Sequence, residues 1–276
     1  MKRRPHIVLT NDDGIHAPGI ECLWRALHNA NLADLTLIAP ATEKSGTGVS
    51  ITWDSPVLIR KIDWAKNTPA YSVEGNPADC IKMGTRVILD SPPDFIISGV
   101  NAGSNAGRNV LHSGTVGAVI EGVLRGIPGV AFSCENGEAP NFHVAEKYIP
   151  SIVDYLLHNP LPEGTFLNVN FPHAAQDTVK GIRLTRQGKG RWAEDPYLHI
   201  ESEHGSSYWL GGKPEERDED EDCDIHLLRE GYLTAVPIHV HELTDRPFLD
   251  AHKEPFESYF NRHLESSTEL QTSRLL

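Results

Sequence analysis

The chain has 276 residues, of which 39% are hydrophobic, and it carries a formal net charge of -13. A chain of this length and composition can bury one large core. The negative charge argues against nucleic-acid binding, because a polyphosphate backbone is repelled unless a local basic groove reverses the field. Small anionic substrates are compatible with it, since a bound cation inverts the potential around a carboxylate-rich site.

The cysteines and the apolar runs indicate the cellular location of the protein. Cys22, Cys80, Cys134 and Cys223 are widely spaced and form no Cys-x-x-Cys pair, which favours ordinary buried thiols over a zinc or redox site. The apolar run at residues 7–9 is too short for the core of a signal peptide, and no stretch reaches the length of a membrane span. We therefore expect a cytoplasmic protein without a membrane or nucleic-acid partner.

Strand and helix patterns alternate through the first 160 residues. Apolar residues at helical spacing follow Pro18 and recur over residues 116–123,. Strand–helix–strand units imply a parallel sheet with right-handed crossovers. The sequence thus predicts an α/β class with a three-layer core over residues 1–160. Short apolar runs predict buried strands at residues 7–10, 35–39, 94–98 and 129–133,.

The character of the chain changes after residue 160. Strand-like segments follow one another without clear helical spacers, and a helix is indicated only near residues 256–260,. The acidic run at residues 215–222 lies among these segments, and we expect it to be a solvated loop without a chemical role. Residues 161–276 are therefore predicted to form a β-rich extension and a C-terminal tail.

Two predicted loops carry candidate metal ligands. Ligands of open α/β sheets bind outside the carboxyl ends of the strands, and Asp12 and Asp13 follow the first strand directly. Adjacent carboxylates suit a hard cation, although Asn-Asp-Asp-Gly is also an ordinary turn sequence. The loop after Pro40 offers the Ser45 hydroxyl as a ligand and Gly46 for the approach of an anion, or is simply flexible. It lacks the Walker A spacing, which argues against a P-loop ATPase.

A third loop, expected over residues 99–107, follows the strand at residues 94–98. Asn101 offers a neutral oxygen ligand, while Ser104 and Asn105 offer donors to a phosphate,. The alternative is a glycine-rich turn without a ligand.

The segment before the helix at residues 116–123 is a further candidate. Free amides at a helix start bind anions, and Ser113, Gly114 and Thr115 occupy this place. Serine and threonine also cap helices that bind nothing, so both interpretations stay open. His16, near the carboxylates, is either a proton donor or a surface residue.

Taken together, these segments resemble the SurE family of stationary-phase survival nucleotidases. The specific matches are residues 10–20, 75–80, 98–105 and 113–116, and weaker matches extend to about residue 240 at residues 167–172, 181–188 and 231–237. The resemblance implies a Rossmann-like core, and a β-rich extension that exchanges segments in homodimers or homotetramers. It also implies metal-dependent hydrolysis of 5′- and 3′-nucleotides, in some members of short polyphosphate. By the family pattern, the metal ligands fall on Asp12, Asp13, Ser45 and Asn101.

The working hypothesis is a phosphomonoesterase with one divalent cation per subunit, Mg²⁺ or Mn²⁺, with Ca²⁺ as a substitute in crystals. The cation activates a water, and the donors at residues 113–115 steady the developing charge on a nucleoside monophosphate. We expect Asp12, Asp13 and Asn101 to carry the catalysis. One alternative makes Asp12 or Asp13 a covalent nucleophile. Another is a nucleotide-binding or sensing module without turnover.

Overall fold

The computed structural model describes residues 3–135, 142–173, 179–215 and 221–272. Strands within these ranges are β1 (His6–Thr10), β2 (Asp34–Pro40), β3 (Ile59–Ile62), β4 (Ala70–Val73), β5 (Phe95–Ala102), β6 (Gly129–Cys134), β7 (Thr165–Phe171), β8 (Ile182–Leu184), β9 (Arg191–Ser202), β10 (Gly205–Glu215) and β11 (Leu233–His239). The helices are α1 (Pro18–Ala30), α2 (Pro77–Met83), α3 (Gly114–Val123), α4 (His143–His158), α5 (Asp224–Arg229) and α6 (Arg246–Thr272).

One sheet organises most of the described chain. Its strand order is β3-β4-β2-β1-β5-β6-β7-β11-β8. The neighbours from β4 through β2, β1, β5 and β6 to β7 are parallel, while β3 pairs with β4 and β11 with β7 in antiparallel fashion. The mainly parallel sheet predicted from the sequence is confirmed. Strands β7, β8 and β11, which come after residue 160, lie in this same sheet.

Helices cover both faces of the sheet. In β1, Ile7 and Leu9 pack on one face with residues of α1 and α4, whereas Val8 packs on the other face with residues of α2 and α3. Side chains alternate between the faces of a strand, so a fully apolar strand must be covered on both sides. The three-layer α/β core is therefore confirmed, and the carboxyl ends of its parallel strands share one edge.

Strand β5 runs further than expected. The prediction of a loop from Gly99 onward is wrong for its first four residues, because the strand continues to Ala102. After a register shift, Asn101 pairs with Ser133 and Ala102 with Cys134 of β6. Asn101 is consequently held in the sheet rather than on a free loop.

The remaining elements lie outside this sheet. Strands β9 and β10 form a separate antiparallel pair. Within the acidic run, residues 216–220 lie outside the described residues.

The chain divides into two compact units, Met1–Val240 and His241–Leu276, and α6 makes up most of the second unit. In the part of the chain that the structure describes, no helix combines the length and apolar character needed to cross a membrane.

Candidate active site

Asp12 follows β1 after one intervening residue, Asn11, and its side chain is almost fully buried, with 3% exposure. The Thr115 hydroxyl donates a hydrogen bond to Asp12 Oδ1, and the backbone N–H groups of Gly114 and Thr115 also donate to this carboxylate. Because α3 begins at Gly114, the carboxylate lies at the positive end of the helix dipole,. Burial raises the pKa of Asp12, and these hydrogen bonds oppose that rise,.

Gly114 allows this close approach. A Cβ atom at Gly114 would lie 2.8 Å from Asp12 Cβ and 2.9 Å from Asp12 Oδ2, so a side chain there would displace the carboxylate. The Thr47 hydroxyl oxygen would lie 3.1 Å from the same Cβ. The start of α3, the end of β1 and the loop after β2 therefore meet at one point.

Asp13 joins β1 to the end of β5. Its Oδ2 accepts a hydrogen bond of 3.3 Å from the backbone N–H of Ala102. Burial, with the neighbouring charges of Asp12 and Glu43, raises the pKa of Asp13 to about 6. Two adjacent carboxyl groups that both resist ionisation form a site whose repulsion a divalent cation would relieve.

The predicted residues of the third loop have partners of two kinds, within the loop and in β7. The amide nitrogen of Asn101 donates to the Gly103 carbonyl at 2.8 Å, which leaves the amide oxygen as its ligand atom,. The Ser104 hydroxyl and the Asn105 backbone N–H both donate to Asn170 Oδ1, at 3.3 and 2.8 Å. Phosphate binding by Ser104 and Asn105 stays a prediction.

The loop after β2 supplies the exposed side of the site. The backbone N–H of Lys44 donates to the Asp12 carbonyl at 2.7 Å, which brings this loop against β1. Ser45 is exposed, and its hydroxyl donates to Glu43 Oε1 at 2.9 Å. Gly46 has a φ of 78°, and a Cβ there would meet nothing within 4 Å. Because a hydroxyl oxygen keeps its lone pairs when it donates, Ser45 can bind a cation without leaving Glu43.

Two other predicted residues have plain structural surroundings. Ser113 is the N-cap of α3, and its hydroxyl oxygen accepts a hydrogen bond of 3.1 Å from the Val116 N–H. His16 is exposed, and its ring stacks on Trp64 with a centroid distance of 6.2 Å.

Sequence reasoning missed the residues that support the third loop from below. Ser133, Asn168 and Asn170 are buried in β6 and β7, and all three bond to Asn105. The alternation of asparagine with apolar residues in Asn168-Val169-Asn170 was the available signal. Within the described ranges, no cluster of three or more His, Cys, Asp or Glu residues could hold a metal. A cation site at Asp12 and Asp13 therefore depends on neutral oxygen ligands as well.

Comparison with known proteins decides the family. The family model described as "Survival protein SurE" matches residues 7–194. The chain belongs to the SurE family. The 5′-nucleotidase SurE of Protochlamydia amoebophila is 49% identical over 263 residues, which cover 95% of this chain and 100% of that protein. The 5′-nucleotidase SurE of Thermosipho africanus is 38% identical over 91% of this chain and 98% of its own length.

A solved SurE structure shares the fold. The crystal structure of the SurE protein from Aquifex aeolicus matches with a TM-score of 0.78 at 37% identity, covering 91% of this chain and 99% of that one. The Rossmann-like architecture and the family resemblance read from the sequence motifs are both confirmed.

Proposed function

We propose that this chain is a divalent-metal-dependent 5′-nucleotidase, which hydrolyses nucleoside monophosphates to nucleoside and phosphate. The observation that carries the proposal is that Asp12 and Asp13 lie at the carboxyl end of β1, where Asp13 accepts a hydrogen bond from Ala102, the neighbour of Asn101 in β5. Family membership adds support, because its relatives are named 5′-nucleotidases. We extend the proposal to 3′-nucleotides and short polyphosphate, which carry the same terminal phosphate group.

The donor set fits one hard cation per subunit. Asp12, Asp13, Ser45 and Asn101 offer only oxygen ligands, which suit Mg²⁺ or Mn²⁺, with Ca²⁺ as a substitute in crystals. When bound, the cation would polarise a phosphate oxygen and lower the pKa of a water. The buried donors around Asp12 fix that carboxylate in one orientation before any ligand arrives,.

The chain's own donors would hold the phosphate. We assign this role to the start of α3, at Ser113, Gly114 and Thr115, and to Gly46, Ser104 and Asn105. The exposed Gly46 has no side chain to block an anion,. The start of α3 also supports Asp12, because the Thr115 hydroxyl donates to that carboxylate.

A phosphate-release screen over nucleotides and divalent cations tests the proposal. We expect release from nucleoside monophosphates with Mg²⁺ or Mn²⁺, and none in excess chelator. Full activity in excess EDTA would contradict the metal site. Bound nucleotide recovered unhydrolysed in the presence of both cations would favour a sensing module, and a trapped phosphoenzyme would favour the covalent alternative.

Assembly and location are also part of the proposal. We propose a homodimer or homotetramer in which residues 161–276 complete the core sheet and supply the interface. Exposed apolar patches mark interaction surfaces, and the apolar side chains of β9 and β10 support this proposal. The exposed ones are Tyr197, Leu198, Ile200, Tyr208, Trp209 and Leu210. Light scattering on the parent and on Trp209→Ser would test it, and we expect a smaller assembly for the variant.

A cytoplasmic location is supported by four cysteines that are free and buried,.

A further inference from the structure

Strand β7 contains two asparagines at positions where apolar residues are expected. Asn168 and Asn170 have 0% exposure, and they alternate with the buried Leu167, Val169 and Phe171. A buried amide costs free energy unless hydrogen bonds compensate for its lost hydration. A strand that needed only to pack would use apolar residues at both positions, so the two amides require another explanation.

Both amides bond to the same residue on another segment. Asn168 Nδ2 donates to the Asn105 carbonyl at 2.9 Å, and Asn170 Oδ1 accepts from the Asn105 N–H at 2.8 Å. The Asn105 side chain donates in turn to Ser133 Oγ at 2.7 Å. Asn105 is thus held by its backbone N–H, its backbone carbonyl and its side chain, and it is itself buried at 6% exposure.

The other end of this short segment is held by the site. Ala102 donates its backbone N–H to Asp13, and the Asn101 amide donates to the Gly103 carbonyl. The strand register places Asn101 opposite Ser133, and Ser133 opposite Asn170, in one row across β5, β6 and β7. Residues 101–105 are therefore fastened to Asp13 at one end and to β7 at the other.

We propose that Asn168 and Asn170 are positioning residues of the active site. By clamping Asn105, they hold residues 101–105 so that Asn101 and Ser104 can face the cation and the phosphate. This inference rests on the metal site proposed above, because holding residues 101–105 in place affects activity only if Asn101 binds the cation. Outer-shell partners of this kind typically change metal affinity or activity by about 10- to 100-fold.

Each asparagine bonds to Asn105 through one polar atom of its side-chain amide, the nitrogen in Asn168 and the oxygen in Asn170. Asn168 acts on Asn105 as a donor, whereas Asn170 acts as an acceptor. Among the residues that the structure describes, Asn168 Oδ1 and Asn170 Nδ2 have no hydrogen-bond partner. An ionised aspartate can replace an acceptor but not a donor. At a pH at which the introduced carboxyl group is ionised, the clamp therefore predicts opposite tolerance at two alternate positions of one strand.

The test compares Asn168→Asp, Asn170→Asp and Asn170→Leu with a matched control, Thr234→Val. Thr234 is buried in β11 opposite Asn170, and its hydroxyl has no partner among the described residues. We expect Asn168→Asp and Asn170→Leu to weaken Mn²⁺ binding, measured by calorimetry, and kcat by about 10- to 100-fold. Hydrogen exchange at the Asn105 and Ala106 amides should accelerate. Asn170→Asp should stay closer to the parent, and Thr234→Val should match it.

Two results would overturn the inference. One is an Asn168→Asp variant that is less stable but keeps the parent Mn²⁺ affinity and kcat, which would reduce the asparagine to a structural residue. The other is equal loss in Asn168→Asp and Asn170→Asp. If Asn168→Asp does not fold, Asn170→Leu carries the test, because it removes the acceptor of the Asn105 N–H. Parent-like Mn²⁺ affinity and kcat in that variant would then contradict the clamp.

Asn101→Ala, measured in parallel, separates this inference from the metal site on which it rests. If Asn101→Ala loses Mn²⁺ affinity while Asn168→Asp keeps it, the clamp is wrong and the site stands. If Asn101→Ala keeps parent affinity, the site assignment is wrong and the clamp loses its purpose. Loss in both variants, with Thr234→Val unchanged, supports both.

Discussion

The two sides of the proposed metal site are built differently. On the side of α3, Asp12 is buried and accepts hydrogen bonds from Gly114 and Thr115. On the side of the loop after β2, Ser45 and Gly46 are exposed, and Ser45 bonds only to the nearby Glu43 in the described structure. One side is organised before a ligand arrives, and the other is exposed to solvent. Substitutions on the two sides should therefore change kcat and Mn²⁺ affinity by different amounts.

Asp12→Asn should have the largest effect. The amide keeps the size of the carboxylate but removes the charge that would bind the cation, so we expect a loss of kcat greater than the roughly 100-fold upper range for outer-shell partners. Stability of the metal-free protein should not fall, because burial disfavours the charged form of Asp12,. Phosphate-release kinetics and thermal melting check both expectations. An unfolded variant would instead make Asp12 a structural residue.

The start of α3 should give the next largest effect, and its two hydroxyls should differ. Thr115→Val removes the donor to Asp12, so Mn²⁺ affinity and kcat should fall by about 10- to 100-fold,. Ser113→Ala removes the cap of the helix, which should cost about 0.5–2 kcal/mol of stability,. It should also raise the inhibition constant of inorganic phosphate, while Mn²⁺ affinity stays close to that of the parent.

Calorimetry with Mn²⁺, phosphate inhibition and melting curves together resolve these roles. A Ser113→Ala variant that is less stable but binds phosphate like the parent would leave Ser113 as a helix cap alone. The phosphate donors would then have to be sought at Gly46, Ser104 and Asn105. A Thr115→Val variant with parent-like Mn²⁺ affinity would contradict the idea that the α3 side is organised around the metal.

Ser45→Ala should have a smaller effect than either change at Asp12 or Thr115. Its neutral hydroxyl is a weaker ligand than a carboxylate, and water can take its place at an exposed position,. We expect a several-fold higher Mn²⁺ concentration for half-maximal activity, with stability unchanged. A loss as large as that of Asp12→Asn would show that the exposed side is as constrained as the buried one.

Neutralising the acidic run should have the smallest effect. Glu221 is exposed, and Asp222 forms an exposed ion pair of 2.8 Å with Arg186, which contributes only about 0–1 kcal/mol. Because a block of like charge repels an anionic substrate, we expect Glu221→Gln with Asp222→Asn to leave kcat within about twofold of the parent. Kinetics equal to those of Asp12→Asn would place the run in the site.

The sequence predicted the parts of the fold whose signals are local. Mainly apolar runs indicated β1, β2 and β6, and Pro18 followed by apolar residues at helical spacing indicated α1. The β9–β10 pair was missed because its residues do not alternate regularly between apolar and polar. The extension of β5 was missed because Gly99 is typical of a turn, and only pairing with β6 shows that the strand continues.

The site residues likewise divide into those with a local sequence signal and those without one. Asp12 and Asp13 were recognisable because two carboxylates follow a buried strand directly. The contact of Asp12 with Thr115 joins residues 103 positions apart, and that of Asn105 with Asn170 joins residues 65 apart. Such contacts depend on how helices and loops pack over the sheet, which no local pattern encodes. Apart from the alternation of asparagine with apolar residues in β7, the supporting residues of the site therefore became visible only in the folded chain.

The most direct test of the account is the position of a bound cation. Anomalous scattering from crystals of the whole protein grown with Mn²⁺ should give one strong peak per subunit. We expect oxygen atoms of Asp12, Asp13 and Asn101 within about 2.0–2.6 Å of that peak, the range for oxygen ligands of small hard cations. The hydroxyl oxygen of Ser45 should complete the site. A peak that touches neither Asp12 nor Asp13 would contradict the account.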